Sequence, residues 1–321
     1  TIAPQDVMKQ SGADVLRLWV SMVDYREDIR LGKEILLRVV EAYRKFRNVI
    51  RVLVANLYDF DPSNDMVPRA RMVEIDRWVM ARYAAVASKT IGAYEDYDYP
   101  AIYQAANSFI TVDVSAFYVD VTKDRMYTFG ATSEARRSGQ TAMYLIADGL
   151  ARLLAPVLPF TMDEVWHNLP GGREPSVHLA LFPSDLAQWQ DEDVLARWEH
   201  LLAIRDDVNL ELEEARQQKV ITANLSAHVA IDAAPAVAHV LAGYRDFLPA
   251  LFGVSTVTLH ASRVDDVTQG KTVKVAVTRA SGIKCERCWR FVPSVSDEPE
   301  FKGLCERCVG ALAEPSVGHA S

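Results

Sequence analysis

Residues 32–57 read GKEILLRVVEAYRKFRNVIRVLVANL, and this stretch decides the fold class. Ile35, Val39, Phe46, Ile50, Leu53 and Leu57 recur close to the 3.6-residue helical period, which gives one apolar stripe along a long helix. The other side is cationic: Arg44, Arg47, Asn48 and Arg51 stand at i, i+3, i+4 and i+7 and stack along one face. On an isolated helix such a row is a solvated face. The turn Asp61-Pro-Ser-Asn-Asp65 ends the helix.

The same period recurs three times to the C-terminal side. Residues 71–94 carry Ile75, Trp78, Val79, Tyr83 and Val86 on one side. Residues 101–122 carry Ile102, Ala105, Phe109, Val112, Ala116 and Val119, with Pro100 in the first turn, where a missing amide is harmless. Residues 138–154 run up to Pro156 and Pro159. A short helix over 161–169 follows, with Thr161 as N-cap and Glu164 at capping-box spacing. Four long amphipathic helices joined by short Pro- or Gly-marked turns imply an antiparallel bundle. Beyond the Gly171-Gly172 connector, a charged helix over 193–218, strands over 225–231 and 255–260 and a helix over 235–247 make a small α/β unit. Residues 271–279 alternate as a half-exposed strand, and the tail after Glu314 is expected to be disordered. The expected class is therefore mainly α, an antiparallel helical bundle followed by a small α/β unit and a four-cysteine, zinc-ribbon-like module. The corresponding divisions are a connector over 1–31, the bundle over 32–183, the α/β domain over 184–265 and the zinc module with its tail over 266–321.

All four cysteines of the chain lie in Cys285-Glu-Arg-Cys288 and Cys305-Glu-Arg-Cys308, separated by sixteen residues. Two Cys-x-x-Cys turns at this distance can close a tetrahedron around one structural zinc, with no position left open for chemistry. Paired disulfides, or a redox pair, leave the repeated spelling unexplained. Lys284, Arg287, Arg290 and Arg307 flank the thiolates and can screen their charge. With Trp289 they can equally meet a nucleic-acid backbone and stack on a base.

At 321 residues and half hydrophobic, the chain can bury a sizeable core. It contains neither an apolar run of membrane-spanning length nor a secretory leader, which points to the cytoplasm and to no membrane partner. A net charge of −8 argues against indiscriminate coating of nucleic acid. Gly-x-Gly-x-x-Gly, His-Glu-x-x-His and Gly-x-Ser-x-Gly are all missing, and no catalytic residue is assigned.

Several motifs carry a resemblance. Thr1-Ile-Ala-Pro-Gln-Asp-Val-Met8, Gly12-Ala-Asp-Val-Leu-Arg-Leu-Trp19, Tyr43-Arg-Lys-Phe-Arg-Asn48 and Asp59-Phe-Asp-Pro62 resemble the C-terminal part of the bacterial isoleucyl-tRNA synthetases. Phe117-Tyr-Val-Asp120, Lys123-Asp-Arg-Met-Tyr127 and Leu154-Ala-Pro-Val-Leu-Pro-Phe-Thr161 are similar to the anticodon-binding bundle of the class I enzymes for Ile, Val and Leu. The Lys284–Trp289 and Cys305–Cys308 motifs are similar to the zinc module of the isoleucine enzymes. One stretch departs from the family pattern: Thr222-Ala-Asn-Leu-Ser-Ala227 stands where a Gly-x-Ser-Leu-Glu-Ala run is usual. The resemblance implies a tRNA-recognition fragment that is inactive alone. ATP and Mg2+ would act only in a catalytic domain preceding Thr1. The implied partner is tRNA(Ile), met by Arg44, Arg47, Asn48 and Arg51 on phosphates, with Trp289 and Arg290 towards the bases and Lys284 and Arg287 as further tRNA contacts, in a monomer that takes no DNA. The rival readings are a zinc-containing DNA-repair glycosylase, whose N-terminal proline nucleophile Thr1 does not supply, and a structural or protein-interaction module.

Overall fold

The computed structural model describes residues 3–28, 32–261 and 273–314. Thr1, Ile2, Arg30, the beginning of the third expected strand at Lys271 and the tail expected to be disordered after Glu314 lie outside the described residues. The chain divides into two compact units, one formed by 1–120 and 134–195 and the other by 121–133 and 196–318.

The first unit is helical. Helix α1 (Pro4–Ser11) starts on a proline and stops at Gly12, whose φ of +87° favours glycine, and α2 (Ala13–Met22) follows at once. The long helix read from the sequence is α3 (Lys33–Ala55), with Val39, Phe46, Ile50 and Leu53 buried along its stripe. Helix α4 (Glu74–Glu95) buries Ile75, Trp78, Val79 and Tyr83. Helix α5 (Tyr99–Ser108), capped by Asp98 through the Ala101 amide at 3.2 Å, runs into a π-helical stretch (Phe109–Val119) and on into α6 (Asp120–Thr128). Helix α7 (Glu134–Leu154) packs against both α3 and α4, and α8 (Pro159–Asn168) packs against α3 and α7.

Two expectations fail here for identifiable reasons. Val112 and Ala116, placed on the apolar stripe by a 3.6-residue period, are exposed, while Asp113, Val114, Phe117 and Tyr118 are buried. In the π-helical stretch the hydrogen bonds run i→i+5, so the inward face advances and the stripe changes residues. Thr161 is not the N-cap of α8 either: the helix begins at Pro159, after Leu158. Asp14 on α2 supplies the capping carboxylate from elsewhere in the fold, accepting from the Thr161 amide at 2.7 Å and from its hydroxyl at 2.5 Å.

Polar groups are also buried where they fasten helices together. Arg136 donates to both carboxylate oxygens of Asp59 at 2.6 and 2.9 Å, and Gln140 donates to the same carboxylate at 2.7 Å. Both side chains of the Arg136–Asp59 pair are almost fully enclosed, so the start of α7 is pinned to the turn after α3. Burial alone would raise the Asp59 carboxyl, but these donors and the two arginine charges hold it below the ordinary carboxylate range.

In the second unit, α9 (Glu192–Gln217) contributes Trp198, Leu201, Ile204, Val208, Leu212 and Ala215 to the core. The strand β1 (Ala227–Ala233) alternates buried and half-buried positions, as a strand with one enclosed face must. Helices α10 (Pro235–Ala242) and α11 (Leu248–Leu251) carry the chain across to β2 (Thr256–Ala261), which lies parallel to β1 with Val229 opposite Val257. β3 (Lys274–Arg279) pairs antiparallel on the other side of β1, with Val229 opposite Val277. The half-exposed strand expected beside the cysteine module is therefore the third member of one mixed sheet, ordered β2-β1-β3.

Candidate functional site

The hairpin β4 (Ile283–Lys284) and β5 (Phe291–Val292) holds the first Cys-x-x-Cys turn, and α12 (Glu306–Ala313) begins directly after Cys305. Gly282 enters the hairpin at φ +104°, where an added Cβ would meet the Val292 carbonyl oxygen at 2.2 Å. Only glycine fits that approach. All four cysteine sulfurs are buried and lie within 4.8 Å of one another. The Cys288 and Cys305 sulfurs are 3.8 Å apart, far beyond a disulfide bond. A zinc tetrahedron with Zn–S of roughly 2.3 Å has edges of about 3.8 Å, so the donor set fits one structural zinc.

The surroundings suit thiolates. The Cys305 amide donates to the Cys285 sulfur at 3.3 Å. Burial opposes ionisation of Cys285, but the amides of Cys288, Cys305 and Arg287 outweigh it and bring that thiol down to about 6. Burial pushes Cys308 up to about 12, with the Arg287 guanidinium working against it. A divalent cation holds ligands of both kinds ionised.

The four expected contact residues of this module divide into two pairs. Lys284 and Trp289 face solvent. Trp289 follows the second ligand at φ +63°, a left-handed conformation rare for a bulky residue, and its indole is 60% exposed with the Lys284 Nζ 5.5 Å from the ring centroid. Arg287 and Arg290 turn inward. The Arg287 guanidinium donates to the Thr128 carbonyl, and Arg290 lies 3.9 Å from the Asp124 carboxylate. Their inner partners, Asp124 and Thr128, belong to the motif Lys123–Tyr127 or sit beside it. Sequence reasoning assigned them no role, because the pairing spans more than 150 residues.

On α3, Arg44, Asn48 and Arg51 are exposed and Arg47 is half-buried, so the helix presents all four on the side away from Val39, Phe46 and Ile50. Arg44 pairs with Glu41 one turn back at 2.7 Å, and Arg47 reaches Glu164 of α8 at 3.3 Å. Surface pairs of this kind contribute about 0–1 kcal/mol and release their cations readily. Among the described residues Asn48 and Arg51 have no side-chain partner. Arg47 and Arg51 line a cleft with Glu164 and Asn168 over an apolar floor of Val54, Ala55 and Val165. Tyr43 bonds to the Thr161 hydroxyl at 3.0 Å, so the Asp14–Thr161–Tyr43 chain fixes α8 beside the cationic face.

Comparison with known proteins gives concordant matches. Residues 76–231 match the anticodon-binding domain of tRNA ligase, and residues 282–309 match the zinc finger found in FPG and IleRS. The isoleucine–tRNA ligase of Syntrophotalea carbinolica is 47% identical over 320 residues, covering 98% of this chain and 34% of the relative. Those of Geobacter sulfurreducens and Moorella thermoacetica are 43% and 40% identical, covering 97% and 98% of this chain and 34% of each relative. The chain thus spans about a third of the length of the curated relatives it matches.

Proposed function

We propose that this chain, homologous over nearly its whole length to the C-terminal third of isoleucine–tRNA ligases, holds the anticodon stem-loop of a transfer RNA, tRNA(Ile), for a catalytic region lying outside the aligned third. The carrying observation is the whole-length similarity to isoleucine–tRNA ligases, which a glycosylase sharing only the knuckle would not have. In this reading the bundle over 32–183 provides the cationic face of α3. Arg44, Arg47, Asn48 and Arg51 take phosphates, and Lys284 with Trp289 offers a stacking surface to an unpaired base. Arg287 and Arg290 contribute through their charge. The module over 266–321 supplies a rigid platform for Trp289, and the α/β domain over 184–265 precedes it. No reacting group is needed in this part: binding energy gathered here is realised where isoleucine is attached, with ATP and Mg2+, in the catalytic region. The reading places the chain in the cytoplasm, as a monomer, with RNA rather than DNA or a membrane as its partner. Among the described residues no helix is long and apolar enough to cross a bilayer.

The test is binding to an isoleucine tRNA and to a non-cognate tRNA at fixed salt, zinc-loaded and chelated. A cognate preference that falls on chelation is expected. Equal, weak binding to both RNAs in every condition would remove anticodon recognition from this chain.

A further inference from the structure

We infer that Arg307 and Arg287 couple the metal centre to the C-terminal end of α6, so that closing the four cysteines around zinc fixes residues 121–133. Arg307, in the first turn of α12, donates to Asp124 from both terminal nitrogens, at 2.6 Å to one carboxylate oxygen and 2.9 Å to the other. It also lies over the Phe129 ring, 5.1 Å from the centroid. Along the chain it immediately precedes Cys308, one of the four clustered cysteines. Arg287 repeats the arrangement: it immediately precedes Cys288, and its guanidinium caps the Thr128 carbonyl at the last turn of α6. Each arginine is therefore joined to a cysteine of the cluster by one peptide bond and holds the helix end with its side chain.

A third tie completes the set. The Glu314 carboxylate, just past the end of α12, accepts from the Thr132 hydroxyl at 2.7 Å, and it sits so close to Gly130 that any Cβ there would strike it. Asp124 also accepts from Thr128 one turn on, at 2.9 Å, so the carboxylate has a fixed orientation before Arg307 reaches it. Bidentate guanidinium–carboxylate pairs demand that both partners keep their geometry, and a cation at a helix C-terminus complements the carbonyl ends. In structural zinc sites metal binding and folding of the ligand turns are one event. Arg287, Arg307 and α12 hang on those turns. Losing the metal therefore releases the contacts on Asp124, Thr128 and Thr132 together. The coupling stands on the metal centre alone and holds whether or not the chain binds RNA.

Amide hydrogen exchange on the full chain, zinc-loaded and chelated, tests this in the unaltered protein, in Asp124→Asn and in Arg307→Lys. Chelation of the unaltered protein should speed exchange over residues 124–133 by about tenfold or more, together with the knuckle, while α4 keeps its protection. Zinc-loaded Asp124→Asn should retain one equivalent of metal by native mass spectrometry yet exchange fast over 124–133, with chelation adding little. Arg307→Lys keeps the charge but loses the bidentate geometry, and should fall between. Unchanged protection of 124–133 on chelation, an equal rise in α4, or full protection in both loaded variants would overturn the coupling.

Discussion

On α3, Arg44 and Arg51 reach into solvent and Arg47 is held by one exposed carboxylate; in the zinc module, Arg287 turns inward to a carbonyl, and Arg290 and Arg307 to a shared carboxylate. Both stretches look alike as sequence, arginines at helical or turn spacing beside apolar residues. The difference lies in what faces them. Among the described residues the cationic row of α3 pairs with Glu41 and Glu164 alone, so its cations are available to an outside anion. The knuckle brings four sulfurs of its own and α6 adds Asp124, so its arginines are already committed. Desolvation makes the commitment firm: burial lowers the Arg290 guanidinium below its ordinary value, with Asp124 opposing, whereas Arg307 beside Asp124 is raised despite its burial.

The comparison can be pressed hardest at the metal. Cys285→Ser should abolish the order of the knuckle, because structural zinc contributes on the order of 10 kcal/mol to modules of this kind. Limited proteolysis should then cut within residues 283–314 while α3 and α4 stay intact, and metal analysis should find no zinc. Resistance of that segment would mean that the inward arginines and the sheet hold it without the cation.

Next in size is the buried pair at the start of α7. Asp59→Ala removes the enclosed carboxylate that Arg136 and Gln140 share, which should lower stability by about 3–5 kcal/mol in urea unfolding. The pH dependence has a definite sign. The folded Asp59 carboxyl lies below its unfolded value, so its contribution is complete above the ordinary carboxylate range and is lost as pH falls through the folded value. A variant as stable as the parent at neutral pH would show that inward arginines in this chain do not depend on their partners.

The outward row should behave oppositely. Arg44→Glu with Arg47→Glu should change the unfolding midpoint little, within about 0.5 kcal/mol, because the ion-pair partners of both among the described residues are surface carboxylates. The same change should weaken tRNA binding and reduce the slope of log affinity against log salt by about one per lost phosphate contact. Unaltered binding across the salt series would make the row a solvated face. The smallest effect expected is that of Glu164→Gln, which frees Arg47 and should tighten RNA binding by about threefold or less at low salt, since such pairs contribute about 0–1 kcal/mol. Weaker binding in that variant would assign Glu164 a direct role in the cleft.

Much of this molecule was legible as a string of residues. An amphipathic pattern marked α3, α4 and α7, because each must bury one stripe, and alternation marked β1 and β3. The repeated Cys-x-x-Cys spelling marked the metal centre, because two tight turns with four soft ligands satisfy zinc with little help from the remainder of the chain. Helical spacing also placed Arg44, Arg47, Asn48 and Arg51 on one face, since that is a property of the helix itself.

What only the tertiary structure decided are the meetings between residues distant in sequence. Asp14, not Thr161, caps α8; Val112 and Ala116 face outward because the backbone switches to i→i+5 bonding; β3 joins the sheet beside β1; and Asp124 waits 183 residues ahead of the arginine that it binds. Local order follows from periodic burial and backbone geometry, which neighbouring residues determine among themselves. Whether an arginine is free or committed depends on which anion the fold carries to it, and that is set by the packing of elements that share no local pattern.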